Sequence, residues 1–449
     1  MITLSSKTSA EAARFIREQI PSDGLFFGHE WRISPAPFAI GAELAKELET
    51  LGRVLLQFNR AVNLLYRKSV EGKQPAWIAD WLDQGKPAEL IALQRHPAFK
   101  QEVPRVIRPD LLLTENGFSI TELDSVPGGI GLTAWLNNTY SELGARNAES
   151  PNAKIIGGAD GMLKGFAGIF GDAQKVHLVV SEEAGTYRPE MQWLAEKIGG
   201  GRFNLQDTQF SNFQDGDAVY RFFEMFDLAN VPNSKQIFQL AAEKRIRLTP
   251  PPKPIFEEKL LFALLWNRHL RDFWRQELGE SFFARLQKAV PYTWLVDPTP
   301  LPPQGAIPEL NLTDWQQLKH FSQRERELIL KVSGFSENAW GARGVYLGSD
   351  LSQADWSAAI DLAINCFGKS PFVLQRYHKP KTVPSAWFDF AKNELVPMQG
   401  RVRLCPYYFL NGEADSARAN LGGVLATICP ADKKIIHGMR DAILAPCSI

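Results

Sequence analysis

Residues 108–124, RPDLLLTENGFSITELD, constrain the fold more than any other stretch of this chain. Two strand-like runs flank a Glu115-Asn116-Gly117 turn. Strand side chains alternate faces, so Arg108 and Asp110 share one face of the first run, and Glu122 and Asp124 share one face of the second. A three-residue loop with Gly117 in the left-handed region sets Asp110 opposite Glu122 and Arg108 opposite Asp124. Three carboxylates and a guanidinium then converge, and bare carboxylates so placed repel unless a cation joins them. Hard oxygen ligands suit Mg²⁺, which is usually held by one or two carboxylates plus substrate phosphates. A two-residue Asn116-Gly117 turn would instead put Asp110 opposite Leu123 and split the acidic set. An edge hairpin with its charges in water fits the same spacing.

At 449 residues, two or three lobes are expected, with residues 1–100 a helical region, 101–245 the acidic hairpin and an α/β lobe, and 246–449 an ATP-binding lobe. Fifty basic residues balance fifty acidic ones, which argues against a nucleic-acid binder. The start, MITLSSKTSAEAARFIREQI, has no apolar h-region, and no apolar run approaches the roughly 20 residues that span a bilayer. Cys366, Cys405, Cys429 and Cys447 form no Cys-x-x-Cys pair and read as reduced thiols. The expectation is a cytoplasmic protein with neither membrane nor nucleic-acid partners; its oligomeric state is not legible.

The run AIGAELAKELETLGRVLLQFNRAVNLLYRKS has helical apolar spacing. KVHLVVSEE reads as a strand and RPEMQWLAEKIGG as a helix closed by glycines, while DAVYRFFEMFD reads as a strand or a helix start. After the proline-rich LTPPPKPIF, the stretch EEKLLFALLWNRHLRDFWRQELG reads as one amphipathic helix. A second proline-rich stretch, VDPTPLPPQGAIPEL, leads to strand LILKVS, strand GVYLGS, helix SQADWSAAIDLAINCF, strand PFVLQRY and later strands VRLCPYYFL and GGVLATICP.

Lys331, in a strand before the glycine-rich GFSENAWGARG, could put its ammonium on phosphate while backbone N–H groups of a loop with Gly334, Gly341 and Gly344 approach it. A plain surface hairpin explains those glycines equally well. Gln375, followed by Arg376 and Tyr377, could read an adenine edge, or could simply end its strand in water. Lys259 sits in the first turn of its helix, against the dipole; a phosphate ligand or plain solvent exposure accounts for it. No Walker A motif, Rossmann fingerprint or Gly-x-Ser-x-Gly elbow is present, His29-Glu30 lacks the second histidine of a zinc helix, and His437 reads as structural.

Taken in order, Arg108-x-Asp110, Glu122-x-Asp124, EEKLLFALLW with Lys259, ILKVSGF with Lys331 and VLQRY with Gln375 resemble the circularly permuted ATP-grasp proteins. Among these, the chain is most similar to the glutathionylspermidine synthetase-like carboxylate–amine ligases. In that family the acidic hairpin precedes the ATP lysines, as here. The resemblance spans about 105–380, more loosely the C-terminal part, and not residues 1–100. It implies an α/β (α+β) fold with an ATP-grasp-like core in permuted order behind a helical N-terminal region. It also implies Mg²⁺ ligands at Asp110, Glu122 and Asp124, and Arg108 stabilising the transferred phosphoryl group. Lys259 and Lys331 would meet ATP phosphates, with the glycine loop, Gln375 and Tyr377 completing the nucleotide site. The third metal position, typically asparagine in the synthetases, is Asp124 here and keeps an oxygen ligand. No segment resembles the amidase domain of some bifunctional relatives, and the loop ENAWGARG has its own character.

The expected activity is ATP- and Mg²⁺-dependent joining of a small-molecule carboxylate to an amine through an acyl phosphate. The alternatives are a small-molecule phosphotransferase and a non-catalytic ATP-binding partner protein.

Overall fold

The computed structural model describes residues 6–21, 25, 31–146, 154–199, 201–339, 343–412, 416–434, 436 and 441–449. The chain opens with α1 (Ser6–Glu18), β1 (Phe38–Ala39), α2 (Ala42–Val70), α3 (Ala76–Asp83) and α4 (Ala88–Gln94). The hairpin β2 (Val106–Thr114) and β3 (Gly117–Asp124) leads to α5 (Ile130–Arg146) and α6 (Gly161–Gly168). An α/β stretch follows: β4 (Val176–Val180), α7 (Arg188–Ile198), β5 (Phe203–Gln206), β6 (Ala218–Phe222), α8 (Ser234–Ala242) and β7 (Arg247–Thr249). Then come α9 (Leu260–Trp266), α10 (Arg271–Ala289), β8 (Thr293–Leu295), β9 (Leu328–Val332), β10 (Val345–Leu347), α11 (Gln353–Asn365) and β11 (Phe372–Arg376). The last strands are β12 (Thr382–Asp389), β13 (Glu394–Asn411), β14 (Arg418–Pro430) and β15 (Ile443–Ser448). The result is a mixed α+β fold, as the sequence predicts at the level of class.

Among the described residues the strands form three sheets. One runs β1-β15-β14-β13-β2-β3, with β12 also paired to β13. A second, antiparallel throughout, runs β10-β9-β11-β8, and a third, parallel, runs β5-β4-β6-β7. The acidic hairpin thus shares its sheet with strands from the end of the chain. Leu48, Leu51 and Leu55 of α2 and Trp274 of α10 pack on one face of that sheet against Ile107, Leu111 and Leu404. Phe166 of α6 and Leu136 of α5 cover the other face at Cys405, Tyr407 and Phe409. Full burial of such side chains is worth about 1.5–3 kcal/mol each, so both layers fix the sheet firmly.

Two local expectations are corrected. The hairpin loop holds two residues, because Thr114 pairs with Gly117, and the register is restored by a bulge at Thr121. Leu113 faces Phe118 and Leu111 faces Ile120 on the core side; beyond the bulge, Asp110 faces Glu122 and Arg108 faces Asp124. Residues 118, 120, 122 and 124 have one parity, so a regular strand would send all four to the same side. The extra residue is what puts phenylalanine and isoleucine in the core and both acids outside it. The second correction is that the long helix expected from Glu257 onward is broken. Asn267 leaves helical geometry at ψ 121° and its side chain accepts from His269 N, which restarts the chain toward α10.

Candidate functional site

Arg108, Asp110, Glu122, Asp124, Lys259, Lys331 and Tyr377 all line one cavity of about 380 Å³. That volume lies within the range of small-ligand sites. The cavity also takes walls from Ile329, Val345 and Leu347 of the antiparallel sheet, from Leu112 and Ile436, and from Phe222, Phe223, Glu224 and Phe226 at the end of β6 and just beyond it. The fold thus brings together residues more than two hundred positions apart in the sequence.

Each predicted acid meets a base. Arg108 Nε lies 3.1 Å from Asp110 Oδ1 and its Nη2 lies 2.8 Å from Asp124 Oδ2. Asp110 Oδ2 is 3.1 Å from Arg403 Nη1, and Lys259 Nζ is 2.8 Å from Glu122 Oε1. Arg403, on β13, was missed; its signal is a lone charge inside the apolar VRLCPYYFL. Arg108 Nη1 also donates to Gly128 O at 3.1 Å, which Tyr407 Oη approaches at 2.7 Å. These contacts fix the guanidinium plane at the base of the cavity. The premise that bare carboxylates demand a metal does not hold as it stands, because Arg108, Arg403 and Lys259 supply positive charge. Among the described residues, no group of three or more His, Cys, Asp or Glu side chains is placed to hold a metal ion.

Negative charge is nonetheless incompletely offset. Burial pushes the Asp124 carboxyl up against the pull of Arg108, with Glu122 and Asp110 adding to the rise. Burial, then Glu257 and Asp124, hold Glu224 well above the usual carboxylate range. For Lys259, burial opposes the charge, but Glu122, by charge and hydrogen bond, outweighs it and raises the pKa. Glu122 and Asp124 thus have the chemistry for a cation arriving with phosphate, since Mg²⁺ needs only one or two carboxylates of its own. Asp110, clamped by two guanidiniums, is less free to serve.

Lys331 differs from Lys259. Its ammonium donates to neutral acceptors, Thr121 O at 3.1 Å and Gln375 Oε1 at 3.0 Å. Thr121 is the bulged residue, so the irregularity that sorts the hairpin's faces also presents a carbonyl to the lysine. Burial pulls the Lys331 pKa down to about 8. Gln375 donates onward to Thr293 Oγ1 at 3.0 Å. It is buried and absent from the cavity wall, so it holds Lys331 rather than opening toward a ligand.

The glycines separate. Gly334 lines a smaller neighbouring cavity of about 50 Å³ with Glu122, Asp124, Glu224 and Glu257. Gly344 packs against Val332, whose Cγ2 would lie 2.6 Å from an added Cβ. Gly341, His29, Glu30 and His437 lie outside the described residues. The glycine turn before α5 offers no open anion site either, because Glu190 accepts from Gly131 N at 3.1 Å.

No protein-family model and no curated protein matches the sequence. In fold, the chain is similar to a glutathione synthetase-like effector from Globodera pallida, solved in apo form. The TM-score is 0.55 at 10% identity, over 99% of this chain and 96% of that one. A candidate gamma-glutamylcysteine synthetase from Methylobacillus flagellatus aligns over 92% of this chain and 89% of its own, at 11% identity and TM-score 0.40. The second likeness is too weak to support an argument. The first establishes a shared fold. No helix among the described residues is long and apolar enough to cross a membrane.

Proposed function

We propose that the chain is an ATP- and Mg²⁺-dependent ligase that joins a small-molecule carboxylate to an amine, on an ATP-grasp core in permuted order. The observation that carries this is the meeting of Arg108, Asp110, Glu122, Asp124, Lys259 and Lys331 in one cavity. The apolar side chains in its wall, Ile329, Val345, Leu347, Leu112 and Ile436, suit a flat purine, and Tyr377 lines the same cavity. Lys259 and Lys331 in the same wall suit a polyphosphate.

ATP supplies the phosphoryl group that turns a carboxylate into a reactive acyl phosphate, and Mg²⁺ on Glu122 and Asp124 would offset phosphate charge. The remaining work falls to this chain's side chains. Lys331 can turn to phosphate by leaving only neutral acceptors, whereas Lys259 must leave Glu122. Arg108 and Arg403, both held by Asp110, carry fixed positive charge to where the transferred group gains negative charge. Asp110 acts in this scheme by orienting them. Water must be kept from an acyl phosphate, and Phe222, Phe223 and Phe226 give that end of the cavity an apolar lining.

Incubating the protein with ATP, Mg²⁺ and a cell metabolite extract, with products read by mass spectrometry, tests the proposal. The expected result is ADP, phosphate and a condensed product, lost in Asp110→Asn and Glu122→Gln. A stable phosphorylated product without amine dependence would select a phosphotransferase. ATP binding without turnover would select a binding protein.

A further inference from the structure

Behind the two lysines lies a buried ionic contact to which the scheme above gives no role. Lys86, in the turn between α3 and α4, places Nζ 2.6 Å from Glu258 Oε1, and the two side chains are 0% and 1% exposed. The other Glu258 oxygen accepts a hydrogen bond from Ser333 Oγ. Ser333 Oγ in turn accepts from Leu260 N at 2.8 Å, and Ser333 O accepts from Lys259 N at 2.9 Å. The turn presenting Lys259 is thereby stitched to the end of β9, two residues beyond Lys331. Gly334 completes the junction, since an added Cβ there would lie 2.8 Å from the Glu258 carboxyl carbon.

A fully buried ion pair contributes little net stability compared with a well-packed apolar pair, so stability alone is a poor reason for its presence. Its geometry suggests another. Lys86 is absent from the cavity wall, yet it neutralises the carboxylate adjacent to Lys259. Without that partner the Glu258 carboxylate would lose the contact that holds it against Ser333, the residue to which both Lys259 N and Leu260 N are bonded. We propose that Lys86 is a positioning residue that, through Glu258 and Ser333, keeps Lys259 spaced from Lys331 and available to a polyphosphate ligand. In this way the helical N-terminal region takes part in ligand binding without touching the ligand. The ligand part of the proposal rests on the nucleotide reading above.

Two measurements on the full chain test it. The first titrates a non-hydrolysable ATP analogue with Mg²⁺ into wild type, K86M, K86Q and K86M/E258Q. K86M is expected to weaken binding roughly 10- to 100-fold, the scale on which supporting residues act. K86Q, which keeps a donor to Glu258 and guards against a K86M that does not fold, is expected to fall between. K86M/E258Q, with both charges gone, is expected to recover most of the affinity. Equal affinity in all folded variants, or a double variant no better than K86M, overturns the proposal. The second measurement reads the turn that presents Lys259 without nucleotide, by amide hydrogen exchange at Lys259 and Leu260, whose N–H groups are bonded to Ser333. Faster exchange at these two amides in the folded Lys86 variants supports the proposal, and unchanged exchange overturns it. Failure of the nucleotide reading has a different signature, namely no analogue binding by wild type.

Discussion

Two charged clusters in this molecule, one buried and one partly so, pair acids with bases in opposite settings. On the parallel sheet, His177 Nε2 lies 3.0 Å from Asp217 Oδ2, Gln206 approaches His177 Nδ1 at 3.2 Å, and Gln214 N donates to Asp217 at 2.8 Å. Phe210 and Phe213 close over the ring, and no cavity described here reaches it. On the large sheet, Arg108, Asp110 and Asp124 are less deeply placed, with side chains 16%, 9% and 22% exposed against 5% and 7% for His177 and Asp217, and they open onto a cavity. There burial pushes the Asp124 carboxyl up despite the arginine. Burial and pairing alone therefore do not mark a functional site. An accessible cavity and charge left partly uncompensated do.

Substitutions should separate the two clusters. Arg108→Met is expected to lower ATP turnover by about 10²–10³-fold, the usual loss when a fixed charge at developing negative charge is removed. Steady-state kinetics on the product assay would check it, and a change below threefold would put Arg108 outside the chemistry. Lys331→Met should weaken nucleotide binding by about 10–100-fold, the worth of a charged hydrogen bond, read by titration calorimetry. Asp217→Ala, by contrast, should destabilise the fold by about 1–3 kcal/mol in urea melts, through an unpaired His177 nitrogen and Gln214 N–H, with nucleotide affinity unchanged. An affinity loss there would erase the distinction between the clusters.

The smallest expected effect is in pH dependence. The Lys331 pKa is about 8 in the folded chain against an ordinary 10.5. Between those values the unfolded chain binds more protons, so the lysine's contribution to stability rises with pH over that window. Lys253, pulled down to about 7 by burial, adds a similar rise from lower pH. Denaturant melts across pH 7 to 10.5 should therefore show a smaller increase for Lys331→Met than for wild type. Identical slopes would mean that Lys331 is not held in a desolvated setting.

How far the sequence foretold these arrangements depends on how local each cause was. Asp110 opposite Glu122 and Arg108 opposite Asp124 were expected from a three-residue loop, and both pairings occur, but on a two-residue loop followed by a bulge. The bulge at Thr121 that produces them was not legible, because nothing in GFSITELD marks an extra residue; only the conflict between apolar 118 and 120 and acidic 122 and 124 hints at it. Lys331 and Tyr377 were placed in the cavity from their strand contexts. Gln375, on β11, points to Lys331 and Thr293, which depends on partners 44 and 82 positions away. Arg403 and Glu224 escaped notice for the same reason, since their roles arise only when distant strands assemble. The break at Asn267 was missed because the apolar spacing on either side is helical and the cap is a single side chain.

The most direct test of the central claim is a crystal structure with a non-hydrolysable ATP analogue and Mn²⁺ in place of Mg²⁺, with the metal found by anomalous scattering. The expected result is a purine against Ile329, Val345, Leu347, Leu112 and Ile436, phosphates at Lys259 and Lys331, and the metal on Glu122 and Asp124. A nucleotide bound outside this cavity, or a metal seated away from those carboxylates, would contradict it.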